Sequence, residues 1–528
     1  MITKALLATA LLLASLTFAA TPGEEGPSQY KAYGVVIPDP APDRKPSEGK
    51  GPYSRLVLDG AMIVDGLGSP PRGPVSIVIE QDQITSIHNR PPPPQDGEAR
   101  KDVSGMTALP GFIDAHAHMG SPGQGLAGPI VPPEYVFKLW LAHGITTVRE
   151  VGSTLGLDWS VGHARRSEAD TIVAPRIIPY SMFPGSAVTT EKGAIEWVRA
   201  VHKRGARGVK LRGGTEEALS AVYAEAARLK IGTASHHDQN GVYHMNVLDS
   251  ARLGLDSMEH WYGLPEAMFT DRTIQDYPAD YNYSDEQWRF GEAGNLWQQA
   301  AAPGSKTWEA TINELIQLDF SLVPTFTIYE ANRDVMRARL AEWHDEYTWP
   351  ALAKFFQPDP KLHGSFHFDW TTAHEVAWKE NFDLWMRFVN DYKNAGGRVA
   401  AGSDAGFIFK LYGFAYIREL ELLQEAGFHP LEVIQAATLN GAELLGMEDQ
   451  IGALTPGRQA DIVLVEGNPV ANFKLLYGTG HMYLDREQGK VGRKGGVSFV
   501  IKSGIVYDAK QLLEDVRMMV ADQKKLKM

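Results

Sequence analysis

The sequence predicts an α/β protein, a (β/α)8 barrel carrying a small β-sandwich domain formed by both ends of the chain. Three observations lead there. Between residues 109 and 260 short β-branched runs alternate with helical patterns, which implies a parallel sheet with crossover helices. The stretch that follows is long enough to complete the closed form of such a sheet, a barrel of about 250 residues. Near both termini, at 55–90 and 460–502, strand-like runs follow one another without intervening helices.

Composition narrows the class. A chain of 528 residues that is 44% hydrophobic can bury a large core. Its formal net charge of -13 argues against a phosphate backbone as partner, so no nucleic acid is expected. Residues 1–20 place Lys4 ahead of an apolar run, Ala5 to Phe18, closed by small residues, which is the pattern of a signal peptide. The expectation is an exported protein, periplasmic or extracellular. There is no cysteine, hence no disulfide and no lipid anchor on a thiol, and no later stretch is apolar enough for a transmembrane helix. Residues 21–52, with Pro38-Asp39-Pro40-Ala41-Pro42, predict an extended Pro-rich arm.

The elements follow in order. Residues 53–108 and 452–510 are assigned to the composite sandwich. Leu56-Val57-Leu58 precedes an Asp59-Gly60 turn and Met62-Ile63-Val64 precedes Asp65-Gly66. Val75 to Ile79, Ala460 to Val465 and Val497 to Ile501 supply further strands. The barrel is assigned to 109–451. Its helices are expected at Val136–Ala142, Thr190–Lys203, Thr215–Leu229 and Met245–Leu253. Its strands are expected at Ile145–Val148, Gly208–Leu211, Thr233–His236 and Asp256–Glu259. The third of these helices has acids in its first turn and ends ahead of Gly232, which suits the helix dipole and a glycine stop. A large insertion near 264–372 is rich in Tyr and Trp, either a lid giving an aromatic pocket or side chains that pack the insertion itself. A second insertion, Tyr477 to Gly496, carries no motif, and residues 511–528 form a C-terminal helix.

The chemistry sits at predicted strand ends. His116 and His118 are two apart and so project from one face. Lys210, the adjacent His236 and His237, His260 and Asp404 close later strands. Core packing does not explain His, Lys and Asp at five such ends, the end at which barrel enzymes place their sites. Only one of His236 and His237 can face the axis, and Asp114, in register with the histidine pair, is a candidate to orient an imidazole.

At this point the chain resembles the metal-dependent amidohydrolase superfamily, in its imidazolonepropionase-like and prolidase-like peptidase branch. The pieces are Pro110 to His118, Gly144 to Arg149, Val209-Lys210, Gly254 to His260, Gly402 to Gly406 and Leu454 to Val463. The resemblance implies two divalent metal ions, usually zinc. His116, His118 and Asp404 would hold one, His236 and His260 the other, with an N-carboxylated Lys210 bridging them. It also favours His236 over His237 as the strand-five ligand. The implied reaction is hydrolysis of an amide, peptide or cyclic amide bond through a metal-bridging hydroxide, with Asp404 as base and then acid and His260 assisting the polarised oxygen. Arg149, Arg212, His244 and Tyr262 lie near strand ends, where they would meet a substrate carboxylate, and His237 stands beside them; a structural role is as good a reading for each. The substrate would be a small molecule or a short peptide, and homo-oligomers are frequent in the family. The same site would serve an esterase, lactonase or phosphotriesterase. A non-catalytic scaffold would have lost ligands, whereas here the set is complete, and a mononuclear deaminase would generally lack Lys210.

Overall fold

The computed structural model describes residues 34–526, so the expected signal peptide (1–20) and the first part of the arm (21–33) lie outside the described residues. The rest of the arm is extended, as its composition predicts, and it is docked on the body. Val35 packs with Ile130 and Leu155. The Ala41 N–H donates to His163 Nε2 at 3.0 Å, and Lys50 exchanges backbone hydrogen bonds with Val506 at 3.0 and 2.9 Å.

Five strands precede the central sheet: β1 (Leu56–Ile63), β2 (Arg72–Glu80), β3 (Gln83–His88), β4 (Ala99–Asp102) and β5 (Met106–Pro110). Asp59-Gly60 is not the expected turn, because β1 runs through it. Gly60 takes φ 90°, and the pairing with β2 slips there, so the extra residue is absorbed as a bulge.

The central sheet is all parallel: β6 (Phe112–Ala117), β7 (Ile145–Glu150), β8 (Arg176–Met182), β9 (Gly208–Leu211), β10 (Gly232–Ser235), β11 (Ser257–Glu259), β12 (Ser321–Val323) and β13 (Arg398–Val399), each beside the next. Both faces of β6 and β7 are buried, as a parallel sheet covered by helices requires. The sheet curls until its last segment meets its first. The Ala115 N–H donates to Ala401 O at 2.9 Å, and the Asp404 N–H to His116 O at 2.8 Å. A curled eight-stranded parallel sheet is consistent with the expected (β/α)8 barrel.

Strands β8 and β12 do not stand out in the sequence: Pro179 lies within β8, and β12 is three residues long. β12 divides the long aromatic stretch, so one excursion precedes it and another follows. Helix Glu216–Leu229 is capped by Thr215, and the left-handed residue that stops it is Lys230, not Gly232.

After the central sheet come β14 (Ile462–Glu466), β15 (His481–Asp485), β16 (Lys490–Lys494), β17 (Gly496–Lys502) and β18 (Ile505–Asp508), then a helix at Ala509–Lys525. The two chain ends do meet, in one continuous sheet ordered β18-β17-β14-β5-β1-β2-β3, with β4 also on β1. It folds over a core that includes Leu58, Ile77, Ile84, Ile462 and Ile501. β14 pairs with β5, and the Gly111 N–H donates to Asp461 O at 2.8 Å, so this sheet fixes the point at which β6 begins. Among the described residues no helix is long and apolar enough to cross a membrane.

Candidate functional site

The C-terminal ends of the parallel strands converge on one cluster. His116 and His118 leave β6 with their Nε2 atoms 3.5 and 3.3 Å from Asp404 Oδ1, while His260 Nε2 lies 3.5 Å from Asp404 Oδ2. The His236 ring is 4.6 Å from that of His260, and Lys210 is buried on β9 beside β10. His260 (φ 62°), Thr325 (φ 50°) and Asp404 (φ 47°) are left-handed; His260 directly follows β11, and the other two lie in the segments that follow β12 and β13. Backbone held in this region by non-glycine residues is a feature of functional sites.

Hydrogen bonds set the tautomers. Thr325 Oγ1 donates to Pro324 O at 2.6 Å, so at its 2.6 Å contact with His260 Nδ1 it accepts, and Nε2 of His260 keeps its lone pair. His116 Nδ1 is bonded to Glu259 Oε2, which likewise turns its Nε2 toward Asp404. Glu259 in turn is clasped by Arg149 at 2.6 Å. Burial holds His260 down at about 3 and keeps His116 and His236 below the ordinary imidazole value, so these rings are neutral donors. Burial alone would raise the Asp404 carboxyl, but the imidazoles of His116, His118 and His260 outweigh it and hold Asp404 well below the usual carboxylate range.

Lys210 is the unusual member. Its Nζ is buried and has no hydrogen-bond partner among the described residues. Burial drives its ammonium down to about 7, against the pull of Glu259 and with the help of Arg149. An amine so placed exists substantially in its neutral form near neutral pH.

The donor set suits a divalent metal. Ligand atoms of His116, His118 and Asp404 all lie within 4.8 Å of one another, and imidazole nitrogen with carboxylate oxygen is a donor set that zinc accepts.

Other expected residues fall elsewhere. His237 points away from the cluster, with its Nε2 2.9 Å from Ser250 Oγ, because neighbouring residues on a strand face opposite sides. His244 is exposed in a turn with its ring on Tyr243, 3.8 Å between centroids, so it does not join the site. Arg149 faces inward, away from any substrate: it is 0% exposed and bonds Ala115 O, Ser257 Oγ and Glu259. Asp114 orients no imidazole. It accepts from the Ser403 N–H at 2.9 Å, the Ser403 hydroxyl at 2.6 Å and the His116 N–H at 3.2 Å, tying the last strand to the first.

Two expected residues do border the cluster. Tyr262 is buried 6.0 Å from the His236 ring. Arg212 is exposed in the bend just past β9, two residues beyond Lys210, near enough for its charge to act on Lys210 and His236. Tyr329, 5.6 Å from the His260 ring, and Phe407, 6.2 Å from that of His118, complete the wall. Most of the remaining aromatics pack on one another: Trp261, Trp297, Trp308, Trp378 and Trp385 are buried in one group behind the site.

Sequence reasoning missed Glu259, although it stands next to His260. Alternation puts neighbours on opposite faces, but the left-handed turn at His260 brings both into the barrel.

The family model described as Amidohydrolase family matches residues 386–507, which include Asp404. The chain is 34% identical over 80 residues to a 5-methylthioadenosine/S-adenosylhomocysteine deaminase of Teredinibacter turnerae, covering 14% of this chain and 18% of that protein. The chain therefore spans less than a fifth of that relative's length. Among solved structures, a Xaa-Pro dipeptidase with methionine bound in its active site superposes with a TM-score of 0.58 at 20% identity, over 86% of this chain and 100% of that one. Bottromycin amidohydrolase superposes with a TM-score of 0.62 at 18% identity, over 89% and 91%. At such identities these two likenesses are of fold. Sequence motifs, family match and fold neighbours meet on one resemblance, to the amidohydrolase family.

Proposed function

We propose that this chain is an exported binuclear metal hydrolase, built on a (β/α)8 barrel, that cleaves an amide, peptide or cyclic amide bond in a small molecule or short peptide. The observation that carries the reading is Lys210, a buried amine with no hydrogen-bond partner among the described residues, close to His116, His236, His260 and Asp404. His116, His118 and Asp404 would hold one ion and His236 and His260 the other. Lys210 in its neutral form would add to carbon dioxide with loss of a proton, and the anionic carbamate so formed would be a further oxygen ligand. Bound divalent ions supply an acidified water and an electrophile for the substrate carbonyl.

The chain's own residues do the rest. Asp404, kept ionised by its imidazole neighbours, takes the proton of the attacking water and returns it to the leaving nitrogen. Glu259 and Thr325 fix the rings of His116 and His260 by their Nδ1 atoms. Arg212 would pair with a substrate carboxylate, and Tyr262 and Tyr329, near the His236 and His260 rings, would offer apolar faces.

A deaminase reading has support from the short match to a curated deaminase. The test is metal per chain, measured on wild type and Lys210→Ala, beside turnover of a panel of dipeptides, acyl amides, esters, lactones, phosphotriesters and aminopurines. About two zinc per chain, falling in the variant, with dipeptide or amide cleavage, is the expected result. One metal, unchanged in the variant, with aminopurine turnover would replace the proposal with the deaminase reading. Preference for esters, lactones or phosphotriesters would keep the site and change the bond.

A further inference from the structure

The hairpin β15–β16 stands apart. Among the described residues its strands pair only with each other. Met482, Leu484 and Val491 are 59%, 59% and 68% exposed. Leu484 lies opposite Val491 in the ladder, and Met482 is two residues from Leu484, so the three share one face. A two-stranded hairpin is marginal in water unless further strands or a covered apolar face support it.

Its two edges differ. Lys490-Val491-Gly492-Arg493-Lys494 carries the basic residues by which natural sheet edges resist pairing, and Arg493 is held by Glu342 at 2.9 Å. His481-Met482-Tyr483-Leu484-Asp485 has no lysine, no proline and no break in register. It is also self-complementary. Two antiparallel copies aligned on Tyr483 place His481 opposite Asp485 and Met482 opposite Leu484 on both sides of the axis. Asp485 uses Oδ1 on the turn, accepting from the Glu487 and Gln488 N–H groups at 3.0 Å, which leaves Oδ2 for His481 of the other copy.

We propose that β15 is the docking edge for a second copy of this chain, joining two hairpins into a four-stranded sheet across a two-fold axis. In that sheet Met482, Leu484 and Val491 of both copies make one apolar block.

The natural chain has no cysteine, so an introduced thiol is unique in each copy. Tyr483→Cys on the axis would meet its own symmetry mate at a Cα separation of about 4.5–5.5 Å, within disulfide reach. His481→Cys would lie about 13 Å from its mate and stay unlinked. The expected result on the full chain is a disulfide dimer for Tyr483→Cys alone under mild oxidation. Light scattering should show a concentration-dependent wild-type dimer that becomes monomeric in Leu484→Asp, with melting temperature unchanged. Equal cross-linking of both thiol variants, a monomeric wild type at every concentration, or a dimer indifferent to Leu484→Asp would each overturn the proposal.

Discussion

Replacing Glu259 by Gln tests whether a carboxylate remote from the proposed substrate sets the geometry of the site. Glu259 is 1% exposed, clasped by Arg149 at 2.6 Å and bonded to His116 Nδ1. Glutamine keeps the shape and one acceptor but removes the charge, so a fully buried guanidinium loses its counter-ion. Breaking one side of a buried pair costs about 3–5 kcal/mol. Gln can still accept from one donor, which places the expected loss at the lower end, ~3 kcal/mol, with a fall in melting temperature of ~5 °C or more for the metal-free protein. His116 also loses the partner that fixes its tautomer, for which the expected effect is a ~10–100-fold weaker affinity for zinc. Calorimetry without metal and a zinc titration against a chromophoric chelator read the two effects separately. The pH profile adds a sign. Burial raises the Glu259 carboxyl, but Arg149, Lys210 and His116 hold it well below the usual range. Its contribution is therefore present above the unfolded value of about 4.3 and lost as pH falls below it, and the variant should lack that component of acid unfolding. A variant with wild-type melting and wild-type zinc affinity would refute the argument. Reduced stability with unchanged affinity would leave Glu259 as the partner of Arg149 only.

Other expectations follow from the same geometry. Arg212→Met should raise KM ~10–100-fold for substrates bearing a carboxylate, the worth of a hydrogen bond to a charged group, and leave carboxylate-blocked analogues unaffected; steady-state kinetics on matched pairs checks it. Gly402→Ala would put a Cβ 2.8 Å from His116 Cβ and 2.7 Å from Val323 Cγ1, so denaturation should show a loss of roughly 1–3 kcal/mol and metal analysis a lower content. Glu419 is buried, accepts from the Phe326 and Thr327 N–H groups, and is pushed up to about 8 by burial. Its folded form holds a proton that the unfolded form has released above about 4.3, so between there and pH 8 the group makes the protein less stable as pH rises, by about 1.4 kcal/mol per unit. Glu419→Gln should remove that slope when metal-free protein is unfolded at a series of pH values.

The readable part of the site was the part that follows simple alternation. His116 and His118, two apart on a strand bounded by Pro110-Gly111, announce a shared face, and His260 and Asp404 close recognisable strands. Glu259 and Thr325 were hidden because left-handed residues break the alternation at the strand ends. The two readings of Arg149 stayed open because a strand end in the sequence does not distinguish a side chain at the rim from one folded inward, where charge is tolerated only with a partner such as Glu259. Strand β8 escaped notice because Pro179 lies inside it, and β12 because its three residues sit amid helical aromatic segments. The meeting of the two chain ends was legible from their like patterning; that they share one sheet was not, since register is set by pairing across more than 350 residues, as in the bond from Thr107 to Gly467.

The seam of the central sheet has a consequence for synthesis. Asp114 and Ser403, 289 residues apart, lock the two sides of that seam together, and the backbone of Asp404 hangs from the carbonyl of His116. As the chain emerges from a ribosome, the first histidine pair is exposed long before its carboxylate partner exists. Contacts of such sequence separation form late in folding. On the proposed reading, any nascent or truncated chain that ends before residue 404 should therefore be incapable of turnover, because it lacks both Asp404 and the closure that holds it.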